Sequence, residues 1–154
     1  GGGGAGGGGG GGRGGGGGKG GGAGDGLVLV GYGSEEFNAE WEALFGELCA
    51  NARERLGLVA AEYAWCGHLV NYRRQPTAGA IRRVLAVAER ALVLPILVAY
   101  DEMFQDGIIG GAIARVGARE RILYAGDAIL PEPAVARWAV EIVRKTVAGA
   151  AHPA

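Results

Sequence analysis

The sequence has little of several residues and patterns that would narrow its function. Its two cysteines, Cys49 and Cys66, are too few for a disulfide scaffold and predict reduced thiols in a cytoplasmic protein. The chain has no charge excess, because 15 basic residues stand against 16 acidic ones. Its longest apolar run, residues 91–100, is too short to cross a bilayer. We therefore expect neither a nucleic-acid partner nor a membrane partner.

The first 26 residues lack the side chains from which a core is built. All are glycine except Ala5, Arg13, Lys19, Ala23 and Asp25. Such a stretch buries almost no apolar surface, so it cannot offset its conformational entropy. We interpret residues 1–26 as a leader that is disordered, an artefact, or a trace without assigned side chains. The folded domain is predicted over residues 27–148, with residues 149–154 as a tail.

One stretch at the start of this domain organises the rest. Four apolar residues, 27–30, run into the motif Gly31-Tyr32-Gly33-Ser34. A short apolar run bounded by glycine is typical of a strand buried on both faces. The glycines permit a sharp turn that leaves Tyr32 at the carboxyl end of the strand, and Ser34 is predicted to cap the next helix. Parallel sheets bind ligands at that edge.

Strand and helix patterns then alternate four times. The predicted strands are 27–30, 58–65, 92–99 and 121–125, and the predicted helices begin near residues 35, 76, 104 and 133. This alternation predicts an α/β fold: a four-stranded parallel sheet in the order 2-1-3-4, with helices on both faces, as in flavodoxin-like three-layer domains. Glu62 suggests that the second strand is at an edge, whereas Pro95 is unexpected in a central strand. The last helix is expected to turn its apolar side chains inward: Val135, Trp138, Ala139, Ile142, Val143 and Val147.

The predicted winding places the loops after the first and third strands side by side. Tyr32 and the pair Asp101-Glu102 would then flank one crevice. His68 would enter this crevice from the second strand, and Asp127 from the fourth.

The order of these motifs is similar to that of a known family. The relevant stretches are Gly31-Tyr32-Gly33-Ser34, Glu35-Glu36, Asn38-Ala39-Glu40, and Leu94-Pro95-Ile96-Leu97-Val98 followed by residues 99–103. They resemble the short class II chelatases, the CbiX-type sirohydrochlorin cobaltochelatases and ferrochelatases. That family has Gly-His-Gly-Ser after its first strand, then an acidic helix start. Its third strand carries a proline and leads to a second histidine, so the resemblance accounts for Pro95.

The chain departs from this family at both metal-handling histidines. Tyr32 stands in place of the first, and Glu102 or Met103 stands in place of the second. A neutral phenol is a poor metal ligand and a poor base, whereas a glutamate can bind a hard cation or accept a proton. The resemblance implies a lyase-type chelatase that inserts Co²⁺ or Fe²⁺, its metal substrate, into sirohydrochlorin or a related tetrapyrrole without an organic cofactor.

On this basis we assign candidate roles to the loop residues. Tyr32 and Glu102 are the catalytic candidates; Glu102, His68 and Asp101 are the metal-ligand candidates; Gly33, Ser34, Tyr100, Met103 and Asp127 are the substrate-binding candidates. Each has a structural alternative. Tyr32 could simply fill the crevice mouth, Asp101 and Glu102 could serve a helix N-terminus, and His68 could be a solvated loop residue. The Cys66-x-His68 spacing is a weak metal signal without further ligands.

Three functions remain open from the sequence. The first is metal insertion with an unusual ligand set. The second is a non-catalytic chelatase-like module that carries metal or tetrapyrrole, or that is the partner subunit or half of a larger chelatase whose other half keeps the histidines. For either function, the resemblance implies a possible homodimer, since the small members of this family pair. The third, from the fold alone, is a phosphate or nucleotide binder. Arg73, Arg74 and Arg82 would meet substrate carboxylates in the first two functions, or form a solvated face.

Overall fold

A computed structural model of the chain describes residues 24–150. The predictions made for residues 1–23 and 151–154 lie outside this part. The elements are β1 (Asp25–Gly31), α1 (Asn38–Leu56), β2 (Ala60–Trp65), α2 (Gln75–Leu85), β3 (Arg90–Ile96), a π-helix (Met103–Gly110), α3 (Gly111–Val116), β4 (Ile122–Leu123) and α4 (Pro133–Ala150). Short 3-10 turns occupy His68–Val70 and Arg119–Arg121.

The four strands form one parallel sheet in the order β2-β1-β3-β4, as predicted. In the central strand, Val30 lies between Ala64 of β2 and Pro95 of β3. The pairing continues to Gly31, opposite Trp65 and Ile96. Strands β1, β2 and β3 therefore end at the same edge, and their loops emerge together.

Alternation along β1 divides the core into two layers. Val28 and Val30 belong to the layer under α2 and α3, whereas Leu27 and Leu29 belong to the layer under α1. Successive strand residues point to opposite faces, so this run of four apolar residues serves both layers. The fully buried Phe45 anchors α1 on its side of the sheet. Helices on both faces are thus confirmed.

The structure explains why Pro95 is accepted in β3. Strand β4 pairs only with Ala91 and Leu92, so β3 has a single partner strand at Pro95. The N–H that proline lacks is therefore not needed on the open side. The prediction that the second strand lies at an edge is also confirmed.

Several boundaries differ from the prediction. Strand β1 begins at Asp25 rather than Leu27, because the pairing of β1 with β3 already starts at Asp25 and Arg90. The side chains of these two residues also pair, with both N–O distances 2.8 Å. Helix α1 begins at Asn38, after a turn in which Ser34 Oγ accepts a hydrogen bond from Phe37 N at 3.3 Å. The predicted third helix is π-helical in its first eight residues.

The inward packing predicted for the last helix is wrong in this structure. Within the described part of the chain, α4 lies away from the sheet, and its side chains from 133 to 149 are exposed except for the half-buried Val135. None of the helices described, α4 included, combines the length and the apolar character needed to cross a membrane.

Candidate functional site

Four aromatic side chains meet at the carboxyl edge of the sheet, and we call them the aromatic cluster: Tyr32, His68, Tyr72 and Phe104. The ring centroids of Tyr32 and His68 are 5.5 Å apart, as are those of Tyr32 and Phe104. His68 and Tyr72 follow at 5.0 Å. All three pairs are edge-to-face, an arrangement that the ring quadrupoles favour. The loops after β1, β2 and β3 therefore contribute to one site.

Two glycines hold Tyr32 in this position. Gly33 has a φ of +81°, which a residue with a side chain rarely adopts, and lies against Trp65. Gly67 N donates to Tyr32 O at 2.9 Å, and a Cβ on Gly67 would be 2.8 Å from the Tyr32 ring. Only glycine at position 67 lets the β2 loop pack this closely on Tyr32.

A strained turn brings Tyr72 back over His68. After the 3-10 turn His68–Val70, Asn71 and Tyr72 have φ values of +50° and +56°, in the left-handed region that costs energy for residues with side chains. The Tyr72 hydroxyl lies 2.6 Å from His68 Nδ1 and 3.2 Å from the Tyr32 hydroxyl. A hydrogen-bonded series thus runs from His68 through Tyr72 to Tyr32.

This hydrogen bonding changes the acidity of the Tyr32 phenol. The bond to Tyr72, reinforced by desolvation, raises the pKa of the Tyr32 phenol to about 12. Tyr32 is therefore a neutral phenol at neutral pH and neither a base nor an anionic ligand. His68, which is exposed, carries the nitrogen lone pair that can bind a metal or accept a proton.

The two acidic residues after β3, Asp101 and Glu102, have different surroundings. Asp101 Oδ1 accepts from Met103 N at 2.8 Å, and Asp101 N donates to Gln105 Oε1 at 3.0 Å, so Asp101 fixes the start of the π-helix. Glu102 is exposed and lines a shallow depression beside Met103 and Asp106. Their roles as metal ligands stay predictions, as does the catalytic role of Glu102.

The other predicted site residues have structural partners or point to solvent. Ser34 holds the turn before α1, and the Tyr100 hydroxyl donates to Asp106 Oδ2 at 2.6 Å. Asp127 and Met103 are exposed. Their substrate-binding roles also stay predictions.

The Cys66-x-His68 pair does not act as a unit. Cys66 is fully buried in the core, and burial raises the pKa of its thiol to about 12. Burial likewise raises the pKa of Cys49 to about 11. Both are free protonated thiols at neutral pH, whereas His68 faces the cluster. Among residues 24–150, no three side chains of His, Cys, Asp or Glu are grouped so as to hold a metal ion.

Sequence reasoning missed three contributors to this site, Gly67, Tyr72 and Phe104. The signal for Tyr72 was its position four residues after His68, which a tight turn converts into contact. Phe104 lies at the predicted start of the third helix, and the π-helical turn there places its ring against Tyr32.

Comparison with known proteins assigns no family. No protein-family model matches the chain, and no curated protein is significantly similar to it. The resemblance to the chelatases is one of short sequence motifs, and the functions that it implies are proposals.

Proposed function

We propose that the chain is a chelatase-type protein that binds a sirohydrochlorin-like tetrapyrrole and inserts Co²⁺ or Fe²⁺ into it. One observation carries the proposal. The imidazole of His68 lies edge-to-face with Tyr32, the residue that replaces the histidine of the chelatase motif. The loop after β2 thus supplies an imidazole beside Tyr32, the position at which the chelatase motif has its histidine.

The hydrogen bonds of the cluster orient the ring of His68. The Tyr72 hydroxyl oxygen lies 2.6 Å from His68 Nδ1, 3.1 Å from His68 Nε2 and 3.2 Å from the Tyr32 hydroxyl. A neutral imidazole has one nitrogen with a lone pair, so a metal ion or a pyrrole proton would replace the contact between that nitrogen and Tyr72.

The surroundings offer partners for a flat, anionic macrocycle. Tyr32 and Phe104 supply aromatic surface, and Arg73 and Arg74 are exposed immediately after Tyr72. Guanidinium groups pair well with the peripheral carboxylates of such a ligand. Metal insertion releases two pyrrole protons, for which His68 and the exposed Glu102 are the proposed acceptors.

The direct test mixes the protein with sirohydrochlorin and Co²⁺ and follows the absorbance change of the macrocycle. We expect insertion faster than without protein, and a loss of at least about tenfold in His68→Ala, because a positioned acid–base group typically contributes that much or more. Gln75→Ala, an exposed change nearby that leaves the cluster intact, should keep the rate. A rate equal to the protein-free control would contradict the proposal.

The second candidate is a non-catalytic chelatase-like module that carries the macrocycle or the metal. It is favoured by the tasks that the structure gives to Asp101 and Ser34, which hold local turns, and by the neutral state of Tyr32. Binding of sirohydrochlorin that perturbs its absorbance, without any acceleration of insertion, would select this candidate. Equal acceleration by wild type and His68→Ala would keep the chelatase class but remove His68 from the mechanism.

A further inference from the structure

The loop after β2 contacts the helical segment after β3 at two points. The first belongs to the aromatic cluster, where the ring centroids of Tyr72 and Phe104 are 6.1 Å apart. The second lies two residues along the loop, where the side chain of Arg74 crosses the backbone of Gly111, the first residue of α3. The guanidinium group of Arg74 is therefore held beside the aromatic cluster.

Glycine at position 111 makes the second contact possible. A Cβ added to Gly111 would lie 2.5 Å from Arg74 Nε and 2.7 Å from Arg74 Cζ, closer than real Cβ atoms approach other atoms. The backbone of Gly111 is helical, with φ −66° and ψ −32°, so its conformation does not require glycine. Glycine weakens a helix, and what it provides here is the space in which the Arg74 side chain lies.

The guanidinium of Arg74 is held in place but has no partner. The backbone of Arg74 is fixed as well, because Ala78 N donates to Arg74 O at 3.0 Å in the first turn of α2. Within residues 24–150, no acceptor is hydrogen-bonded to its guanidinium and no carboxylate is paired with it. Arg82 of the same helix, in contrast, donates from Nη2 to Arg115 O at 2.9 Å. The five N–H donors of Arg74 are therefore available to a ligand.

The neighbouring Arg73 does not have this support. Its side chain is exposed and borders a shallow depression beside Asn71 and Gln75. A long side chain that is free in solution loses rotamer entropy when it binds, whereas a side chain already held by packing loses less. Of the two adjacent arginines, Arg74 is the one prepared for binding.

We propose that Arg74, held across Gly111, binds a carboxylate of the ligand with two parallel hydrogen bonds and so selects anionic macrocycles. The inference rests on the proposed function, namely the binding of a sirohydrochlorin-like tetrapyrrole at the aromatic cluster. The planar fork of a guanidinium matches the two oxygens of a carboxylate. Arg74 also stands at the N-terminus of α2, whose helix dipole favours a negative charge.

Absorbance titrations of the full chain test the proposal with two probes, sirohydrochlorin and its methyl ester, in which the carboxylates are masked. Arg74→Ala should weaken binding of the acid by about tenfold or more, because hydrogen bonds to charged groups contribute that much. Arg74→Lys should not restore the affinity, since an ammonium group lacks the fork. Neither change should alter binding of the ester, and Arg73→Ala should weaken binding of the acid less than Arg74→Ala.

Gly111→Ala tests the support without removing the charge. The added Cβ must displace the Arg74 guanidinium, so affinity for the acid should fall toward that of Arg74→Ala. The stability of the domain should not fall, because alanine favours a helical backbone. The matched control is Gly46→Ala, which changes a glycine inside α1 with nothing within 4 Å of its added Cβ and should bind the acid as wild type does. Circular dichroism confirms that each variant is folded, and Arg74→Lys replaces Arg74→Ala if the latter is not.

The outcomes separate this inference from the proposed function. If wild type binds the acid and the variants at Arg74 and Gly111 bind it equally well, the inference is wrong and the proposed function stands. Equal losses in Arg73→Ala and Arg74→Ala would indicate attraction by surface charge alone and would also overturn the inference. If wild type does not bind the acid at all, the proposed function fails, and the inference fails with it.

Discussion

At the scale of single residues, the hydrogen bond between Tyr72 and Tyr32 raises the pKa of the Tyr32 phenol. The two hydroxyl oxygens are 3.2 Å apart, and this contact is the main cause of the raised pKa of Tyr32. Tyr72 is held there by a left-handed backbone that no residue-type pattern predicted. The motif Gly31-x-Gly33 did predict the position of Tyr32 at the end of β1. This position depends only on the backbone of the turn, which the two glycines make possible.

Tyr72→Phe should move the pKa of Tyr32 from about 12 back toward its ordinary value of 10.0. In wild type, the phenol is neutral in folded and unfolded chains below pH 10. Between pH 10 and 12 only the unfolded chain loses this proton, so the contribution of Tyr32 to stability is lost as pH rises through that window. Tyrosinate absorbance against pH measures the change.

The control for this titration is Tyr63→Phe, which removes a phenol that lies away from the cluster, under α1. Its titration should show one tyrosine fewer than wild type and leave the pKa of Tyr32 unchanged. If Tyr72→Phe leaves the remaining titration curve unchanged, Tyr32 and Tyr72 are not hydrogen-bonded in solution.

At the scale of elements, two glycines have opposite effects on the stability of α1, one just after the helix and one inside it. Gly57 ends α1 with a φ of +64°, a left-handed conformation that favours glycine. Gly46 lies inside the helix, and a Cβ there would meet nothing within 4 Å. The helix C-terminus was predictable from Gly57, whereas the three-residue delay at the N-terminus depends on the Ser34 turn.

Gly57→Ala should therefore destabilise the domain by about 1–2 kcal/mol, because alanine must adopt the left-handed region. Gly46→Ala should stabilise it by about 0.5–1 kcal/mol, since alanine loses less entropy in a helix. Urea unfolding followed by circular dichroism gives both values. Equal shifts in the same direction would contradict this account of α1.

At the scale of the whole molecule, the sheet is tied together at its amino edge by a pair far apart in sequence. Asp25 begins β1 and is 4% exposed, and both of its carboxylate oxygens accept hydrogen bonds from Arg90, the first residue of β3. Hydrogen bonding to Asp25 also raises the pKa of the Arg90 guanidinium. The pair joins the first residues of the two central strands.

Arg90→Ala should cost about 2 kcal/mol, because it removes the guanidinium from a buried carboxylate. Because Arg90 is half exposed, we expect a smaller loss of unfolding free energy than for a fully buried ion pair. The matched control is Arg83→Ala, which breaks the exposed pair with Glu62 and should cost less than about 1 kcal/mol. Denaturant midpoints compare the two, and equal losses would show that burial of Asp25 does not matter.

The sequence by itself determined the elements and their winding. An apolar run such as 27–30, a stop such as Gly57 and the alternation of strand and helix patterns are local signals, and right-handed crossovers leave few parallel sheets that fit them. Only the tertiary structure decided which side chains meet. The contact of His68 and Tyr72 with Tyr32, the burial of Asp25 and the exposed position of α4 depend on loop conformations and on packing between distant segments, which no local pattern encodes.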